Sequence, residues 1–520
     1  MELKDSMTVC FIPFRFNCEN VVSEMQKSLW EPIEISVDKS FLYPHISKFL
    51  FSNFGIKDER ALIPDNCLVY SLKDNWRGLV SDEEDVIRNL FNNYTLEIKK
   101  TKKIGDEDIE LKYYFKLLNK RSTLTSPKLV FHQLSSVGFI MFCFEPDKKS
   151  RKFENYIDLN YLLHKVGKQS LAIRIEEDNE KNSSIYSSLK NYNRDNIKPS
   201  KKEKDPDIFY LHNLISFLLK NIGNNKIEFI GKENMHLLSY IQVDTKEKDT
   251  LPNEDIMKNF VRLARCQNTE YMVNPESDLL GNKIYMQTFD NIYIASCVEG
   301  GCVMTDLNLN PSPFIQDFKN NSFASRYIWT YMLVYLQRTM LLNLSDRLTN
   351  IDLYAVSDSK GAITDSLLKL SKMKANTYFS DISDITQHNL FYRFCSQNLS
   401  IRQHFDEVRD KIEDLDIVIK EQELAIKEQE LEIRNKELKQ QEEIEKNEAK
   451  RSRDLSDRLV YIYIAQVFFA IVVFSGVNVE VECLSIFYND YKYYIDILLS
   501  LLAVFTIVFS GYLIYKAKKK

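Results

Sequence analysis

Leu459–Gly476 reads LVYIYIAQVFFAIVVFSG, eighteen residues without a charge. At 1.5 Å per residue a helix of that length spans about 27 Å, close to the hydrocarbon thickness of a bilayer. A second uncharged segment, ILLSLLAVFTIVFSGYLIY, covers Ile497–Tyr515. Two such segments so close together predict a membrane hairpin; the competing reading is a pair of buried helices in a large soluble core. Lys446, Lys450, Arg451, Arg453 and Arg458 precede the first span, and Lys516, Lys518, Lys519 and Lys520 follow the second. The segment between them carries only Lys492. The positive-inside rule then puts both termini in the cytoplasm and residues 477–496 in an outer loop, with a basic cytoplasmic tail over 516–520. That loop is acidic through Glu480, Glu482, Asp490 and Asp496.

Upstream, Gln403–Lys450 is saturated with Glu, Lys and Gln and contains no Gly or Pro, a strong helix composition. A near repeat, KEQELAI (Lys420–Ile426) then KEQELEI (Lys427–Ile433), carries two seven-spaced stripes. One is Ile412, Ile419, Ile426 and Ile433; the other is Ile417, Leu424, Leu431 and Leu438. Within a repeat they lie two residues apart, about 200° around the helix. A helix with opposed seams needs a neighbour on each flank, in a ring of subunits or under a sheath of other helices. The alternative is a long solvated helix with an incidental second stripe. No breaker precedes the first span, so one helix is expected from Ile401 to Gly476, roughly 110 Å long. Ser325–Leu348 and Thr364–Ser396, the latter with a break at Ser380-Asp381, are expected as helices that sheathe it, giving a helical stalk over 325–458.

The chain has 520 residues and a net charge of -5, but only 13 glycines. That scarcity, and the lack of any G-x-x-x-x-G-K-[ST] or G-x-G-x-x-G run, argues against folds built on glycine-rich phosphate loops. Nine scattered cysteines without a C-x-x-C pair read as reduced, buried thiols. Met1–Phe16 lacks the apolar core of a secretory signal, so most of the chain is expected in the cytosol. Leu129–Pro146 and Lys283–Leu307 look like strands, the latter a hairpin turning at Glu299-Gly300-Gly301. The polar stretch 177–207 reads as a loop between an α/β domain over 1–176 and a second α/β portion over 208–324. The fold class expected is therefore an α+β membrane protein with a cytosolic α/β domain and a long helical stalk running into the first span. Cys297 and Cys302 flank the hairpin turn and read as buried thiols rather than a metal pair. The seven histidines form no paired pattern, no nucleophile motif stands out, and no catalytic residue is assigned. Lys201, Lys202 and Lys204 are offset by Asp205 and Asp207, and no direct nucleic-acid binding is expected.

The first span closes on Phe474-Ser475-Gly476-Val477-Asn478, with Val479-Glu480 directly after. A Gly-x-Asn tripeptide at the outer end of the first of two C-terminal spans, before a short acidic loop and a lysine-rich tail, resembles the CorA family of divalent-cation channels and transporters. The resemblance covers about Ser325–Lys520 and is architectural more than residue by residue. The family's Gly-Met-Asn is Gly-Val-Asn here, and Ser475 replaces the preceding aromatic, which leaves the ion open among Mg²⁺, Co²⁺, Ni²⁺, Mn²⁺ and Zn²⁺. The amino-terminal region is far longer than is typical of the family.

The resemblance implies a homopentamer in a bacterial inner membrane, its first spans lining the pore. Gly476, Val477 and Asn478 would form the ion filter, with Asn478 and the Gly476 backbone facing the cation. Neutral oxygens suit an ion that keeps its waters. Glu480 and Glu482 would raise cation concentration outside. Gln466, Phe469, Ile471, Val473 and Ser475 would line the pore or gate, with Val467–Val473 closing by dewetting. Gln466 has an equal alternative as a hydrogen bond between helices. Enlarged members resemble the CorA-like membrane effectors of type III CRISPR antiviral defence, which implies a nucleotide second messenger, such as SAM-AMP, acting on the cytosolic part. The alternative function is a membrane-anchored ligand-binding or scaffold protein without ion transport.

Overall fold

A computed structural model describes residues 1–16, 30–32, 41–51, 66–72, 90–91, 94–104, 107–119, 125–165, 172–176, 186, 189, 208–219, 227–230, 234–245, 253–277, 281, 283–308, 312–352 and 356–482, and alternating pairs of residues over 493–516. The polar stretch 177–207 therefore lies outside the described residues except for Tyr186 and Leu189. The chain forms two compact units, Met1–Ile419 and Lys420–Lys520.

The first unit begins with β1 (Asp5–Phe16), β2 (Trp30–Pro32), α1 (Pro44–Leu50), β3 (Cys67–Leu72), β4 (Leu96–Ile104), β5 (Glu107–Leu117), β6 (Lys128–His132) and β7 (Val137–Pro146). Next come α2 (Phe153–His164), β8 (Ala172–Ile175), β9 (Phe209–Tyr210), α3 (Leu211–Leu218), β10 (Ile227–Phe229), β11 (His236–Val243) and α4 (Glu254–Ala264). Then follow β12 (Tyr285–Phe289), β13 (Ile292–Ser296), β14 (Gly300–Asp306), α5 (Pro313–Gln316) and a π-helical segment, Lys319–Tyr327. The remaining helices are α6 (Ile328–Thr349), α7 (Val356–Thr377), α8 (Thr386–Asn398) and α9 (Ile401–Glu482).

All the described strands join one sheet, ordered β12-β13-β14-β11-β1-β7-β5-β4-β8-β9, with β10 beside β1 and β6, β3 and β2 branching from β7. The described pairings are antiparallel except β11 with β14. At its centre β1 runs against β7, from Thr8↔Phe144 to Arg15↔Val137. On its other edge β1 changes partner, from β11 up to Phe11↔His236 to β10 from Phe14↔Phe229. Pro13 sits at that change. Its carbonyl accepts from the Ile230 N–H at 3.0 Å, so its missing donor faces the gap between two partners and costs no ladder bond.

Successive residues of a strand point to opposite faces, and here each face has its own core. Cys10, Ile12, Phe14 and Phe16 pack with α2, α3 and α4, whereas Met7, Val9 and Phe11 pack with α1, α6, α7, α8 and the start of α9. The sheet is thus the middle of three layers. A sheet covered on both sides needs near-continuous apolar strands, which is why VGFIMFCFEP (Val137–Pro146) shows no polar alternation. Lys319 pins the π-helical segment to the sheet, its Nζ lying 2.7 Å from Asp5 Oδ1 and 2.9 Å from Glu145 Oε1.

The portions 1–176 and 208–324 share one sheet, because β1 pairs with β11 and β8 with β9. Ser325–Leu348 is no stalk sheath: α6 is apolar around most of its circumference, and Trp329, Tyr331, Met332 and Leu333 are wholly buried against the sheet. Such a helix wants cover on every side. The first unit extends to Ile419, so the stalk expected over 325–458 is separate only from Lys420. The helix α9 continues to Glu482, so Val477–Glu482 has helical backbone. No Gly or Pro follows Gly476 within that stretch to stop it. Residues 483–492 of the expected loop lie outside the described residues.

Gly300 lies where β11 and the end of α4 close on β14: a Cβ there would meet the Leu237 carbonyl at 2.5 Å and the Ala264 carbonyl at 3.0 Å. Gly300→Ala is expected to cost about 1–3 kcal/mol, read as a lower midpoint in chemical or thermal unfolding. Gly361→Ala, in open space on α7, should be neutral or stabilise by up to about 1 kcal/mol. Equal stability of Gly300→Ala and wild type would contradict the close approach.

Candidate functional site

The second unit carries its apolar residues outward. The best eighteen-residue window of α9 has a mean hydropathy of 1.6 and no buried residue. Leu459, Tyr461, Phe468 and Ile471 are each 60–73% exposed, whereas apolar side chains of the first unit's strands and α6 are almost all buried. Among the second segment's described residues, Ile497, Leu498, Leu501, Val504, Phe505, Val508 and Phe509 are helical and also exposed. A core helix of a soluble protein would be covered; these are not.

Helical backbone through Glu482 sorts the candidate pore residues. At 100° per residue, Gln466, Phe469, Val473, Gly476, Val477 and Glu480 fall on one face of α9. Ile471, Ser475, Asn478 and Glu482 fall on the opposite face. One helix face cannot hold both sets, so the pore-lining group expected from the sequence divides. Gly476 and Asn478, joined in the expected filter, sit on different sides. Ser475, Asn478 and Glu482 are spaced i, i+3, i+7 and form a polar stripe that follows the apolar Val467 and Ile471 along the chain.

The heptad seams also divide. Ile412 and Ile419 are each 2% exposed within the first unit, but Ile426 and Ile433 are exposed. Ile417, Leu424, Leu431 and Leu438 are 51–60% exposed throughout. From Lys420 onward both seams are open.

In the first unit, Cys10, Cys67, Cys143, Cys266, Cys297, Cys302 and Cys395 are free and buried. Burial pushes these thiols up, Cys143 to about 12, which leaves them protonated and unreactive. Cys297 and Cys302 stand either side of a tight turn centred on Val298-Glu299, where the Cys297 N–H donates to the Gly300 carbonyl at 2.8 Å. Among the described residues no group of three or more His, Cys, Asp or Glu is placed to hold a metal ion.

The buried titratable centre is one that the sequence pattern did not mark. His236, first residue of β11, places Nε2 2.7 Å from the Tyr331 hydroxyl of α6 and stacks on Tyr335 at 4.1 Å. It also bonds the Val298 backbone. Burial, then the charges of Arg338 and His164, hold its imidazole well below the usual histidine range. Burial likewise lowers His164 to about 4. The geometry locks β11 to α6 with a neutral imidazole and offers no open face to a substrate.

Protein-family models, curated proteins and solved structures were compared with the chain, and none matches.

These histidines set a pH dependence. Both folded-state values lie below the unfolded value of about 6.5, so the unfolded chain takes up protons that the folded one refuses. Stability is fully present above that value and falls as the pH drops toward about 4. Thermal midpoints across this window should show the fall. His236→Gln should start lower at neutral pH but lose less on acidification; an unchanged slope would remove His236 as a cause.

Proposed function

We propose that the chain is an oligomeric, CorA-like divalent-cation channel of a bacterial inner membrane, with the first unit on the cytoplasmic side as its regulatory part. The observation that carries the proposal is the apolar stretch in the last part of α9, which has no buried residue in its most apolar window. Hydrocarbon, not water, suits Leu459–Val473, and two-sided exposure suits a helix that meets lipid or neighbouring helices on one side and a pore on the other.

The divided faces favour a more specific arrangement than the sequence alone. Ser475, Asn478 and Glu482 line the outer mouth, with hydroxyl, amide and carboxylate oxygens offered to a hydrated cation. Val467 and Ile471 narrow the pore below them, where an apolar ring blocks ions by excluding water. Gln466, Phe469, Val473 and Gly476 pack between neighbouring helices, Gly476 allowing close approach and Gln466 bonding across the contact. The open seams of the stalk supply each helix with two flanks for further copies, in keeping with a ring, a pentamer by the family resemblance. Because α9 begins among the buried residues of the first unit and is one helix through Asn478, a ligand that favours one packing of that unit shifts the population of open pores. A nucleotide second messenger such as SAM-AMP is the ligand class that the resemblance to CRISPR-associated effectors suggests.

Reconstituted in liposomes, the protein should pass Mn²⁺, Co²⁺ or Ni²⁺ into an indicator-loaded lumen. Asn478→Ala should lower the flux or change the ion order, while Val473→Ala should do neither by a comparable amount. Ile471→Ser should raise basal leak by wetting the constriction. Absence of flux from membrane-inserted protein, with and without candidate nucleotides, would leave the anchored ligand-binding reading in its place. An effect of Val473→Ala larger than that of Ile471→Ser would reverse the assignment of faces.

A further inference from the structure

We infer that the stalk beyond Lys420 packs against the stalks of further copies of this chain, all parallel and level, with the leucine seam of each helix against the isoleucine seam of the next. The inference rests on the oligomeric reading above but not on ion conduction. Leu424, Leu431 and Leu438 form one seam and are 51–60% exposed; Ile426 and Ile433 form the other and are 43% and 57% exposed. The two seams lie about 160° apart around the helix, so a pair joined through one of them leaves the other wet. Both are covered only when the same contact repeats from copy to copy.

Charges beside the seams choose the direction. Turning from the leucine seam, Lys427 and Arg434 lie about 60° round the helix, Glu430 and Glu437 about 100° round on the same side, and the isoleucine seam at about 160°. The basic pair thus borders one seam and the acidic pair the other. All four side chains are exposed. Lys436 is paired along its own helix with Glu432 at 2.8 Å, whereas Lys427, Glu430, Arg434 and Glu437 make no ion pair among the described residues. When two parallel copies meet leucine seam to isoleucine seam, the basic pair of the first comes beside the acidic pair of the second. In a closed ring the copies are level, so Lys427 lies about 4.5 Å along the axis from Glu430 of the next copy. On the far side of the contact Glu428 meets Gln429, which does not repel it. Reversing one copy instead sets Glu428 against Glu430 and Glu437. Charges that flank apolar seams fix partner and orientation in this way between packed helices.

Leu431→Cys and Ile433→Cys are placed together in the full chain, which is purified in detergent micelles and oxidised with copper phenanthroline. The chain without these substitutions supplies the background of its native cysteines. The two new thiols sit on nearly opposite sides of one helix, so every new disulfide joins two copies. A denaturing gel should show a ladder that extends beyond the dimer, and Leu431→Cys alone should show none. Adding Glu430→Lys with Glu437→Lys, or Lys427→Glu with Arg434→Glu, should slow the ladder by about threefold or more. Coexpressing the two reversed chains should restore the rate, because repulsion within each helix is the same mixed or unmixed and only contact between copies changes. No ladder above background, a covalent dimer from Leu431→Cys alone, or equal rates for all the charge variants would overturn the inference. A ladder from protein that passes no cation would uphold it and remove only conduction, whereas cation flux without a ladder would remove the stalk packing alone.

Discussion

The apolar side chains of β1 divide between two cores, and that alternation is the constraint on which the first unit depends. Phe11 goes to the layer that contains Tyr331 and Tyr335, Phe14 to the opposite layer with Phe131. A shift of one residue between β1 and β7 would exchange the two sets, burying each against the wrong helices. Pro13 helps hold the register, since only at the junction of β10 and β11 is its lack of an N–H harmless. The β1–β11 ladder in turn brings β14 into the same sheet.

That constraint explains why α6 is a core helix. Its faces meet the sheet on one side and α7 and α8 on the other, through Gln337 to Tyr392 at 3.0 Å and Arg338 to the Leu399 carbonyl at 2.7 Å. The polar residues it does carry are therefore conspicuous. Tyr331 meets His236, and Asn343 donates to the Ser135 carbonyl. Within an apolar helix such residues are retained where the fold satisfies them.

The second unit obeys a different rule. Its described apolar residues, Leu459 and Phe468 among them, are exposed, and its stalk seams are equally open. By helix geometry Asn478 and Gly476 fall on opposite faces of α9, so the short motif that joins them in sequence spans both.

Local periodicity and composition determined a good deal: the strands of Leu129–Pro146, the hairpin in Lys283–Leu307, the unbroken helix through Lys450 and the uncharged stretch after Leu459. Each depends on neighbours within a few residues, where steric preference and burial pattern act directly. The joining of the two α/β portions was not legible, because the β1–β11 ladder links residues more than two hundred positions apart and leaves no periodic trace. The role of Ser325–Leu348 was ambiguous for a related reason, since an apolar helix reads the same against a sheet as against a stalk. The partnership of His236 with Tyr331 was decided by tertiary packing alone. The end of α9 was not legible at Gly476, because a single glycine lowers helix propensity without stopping a helix.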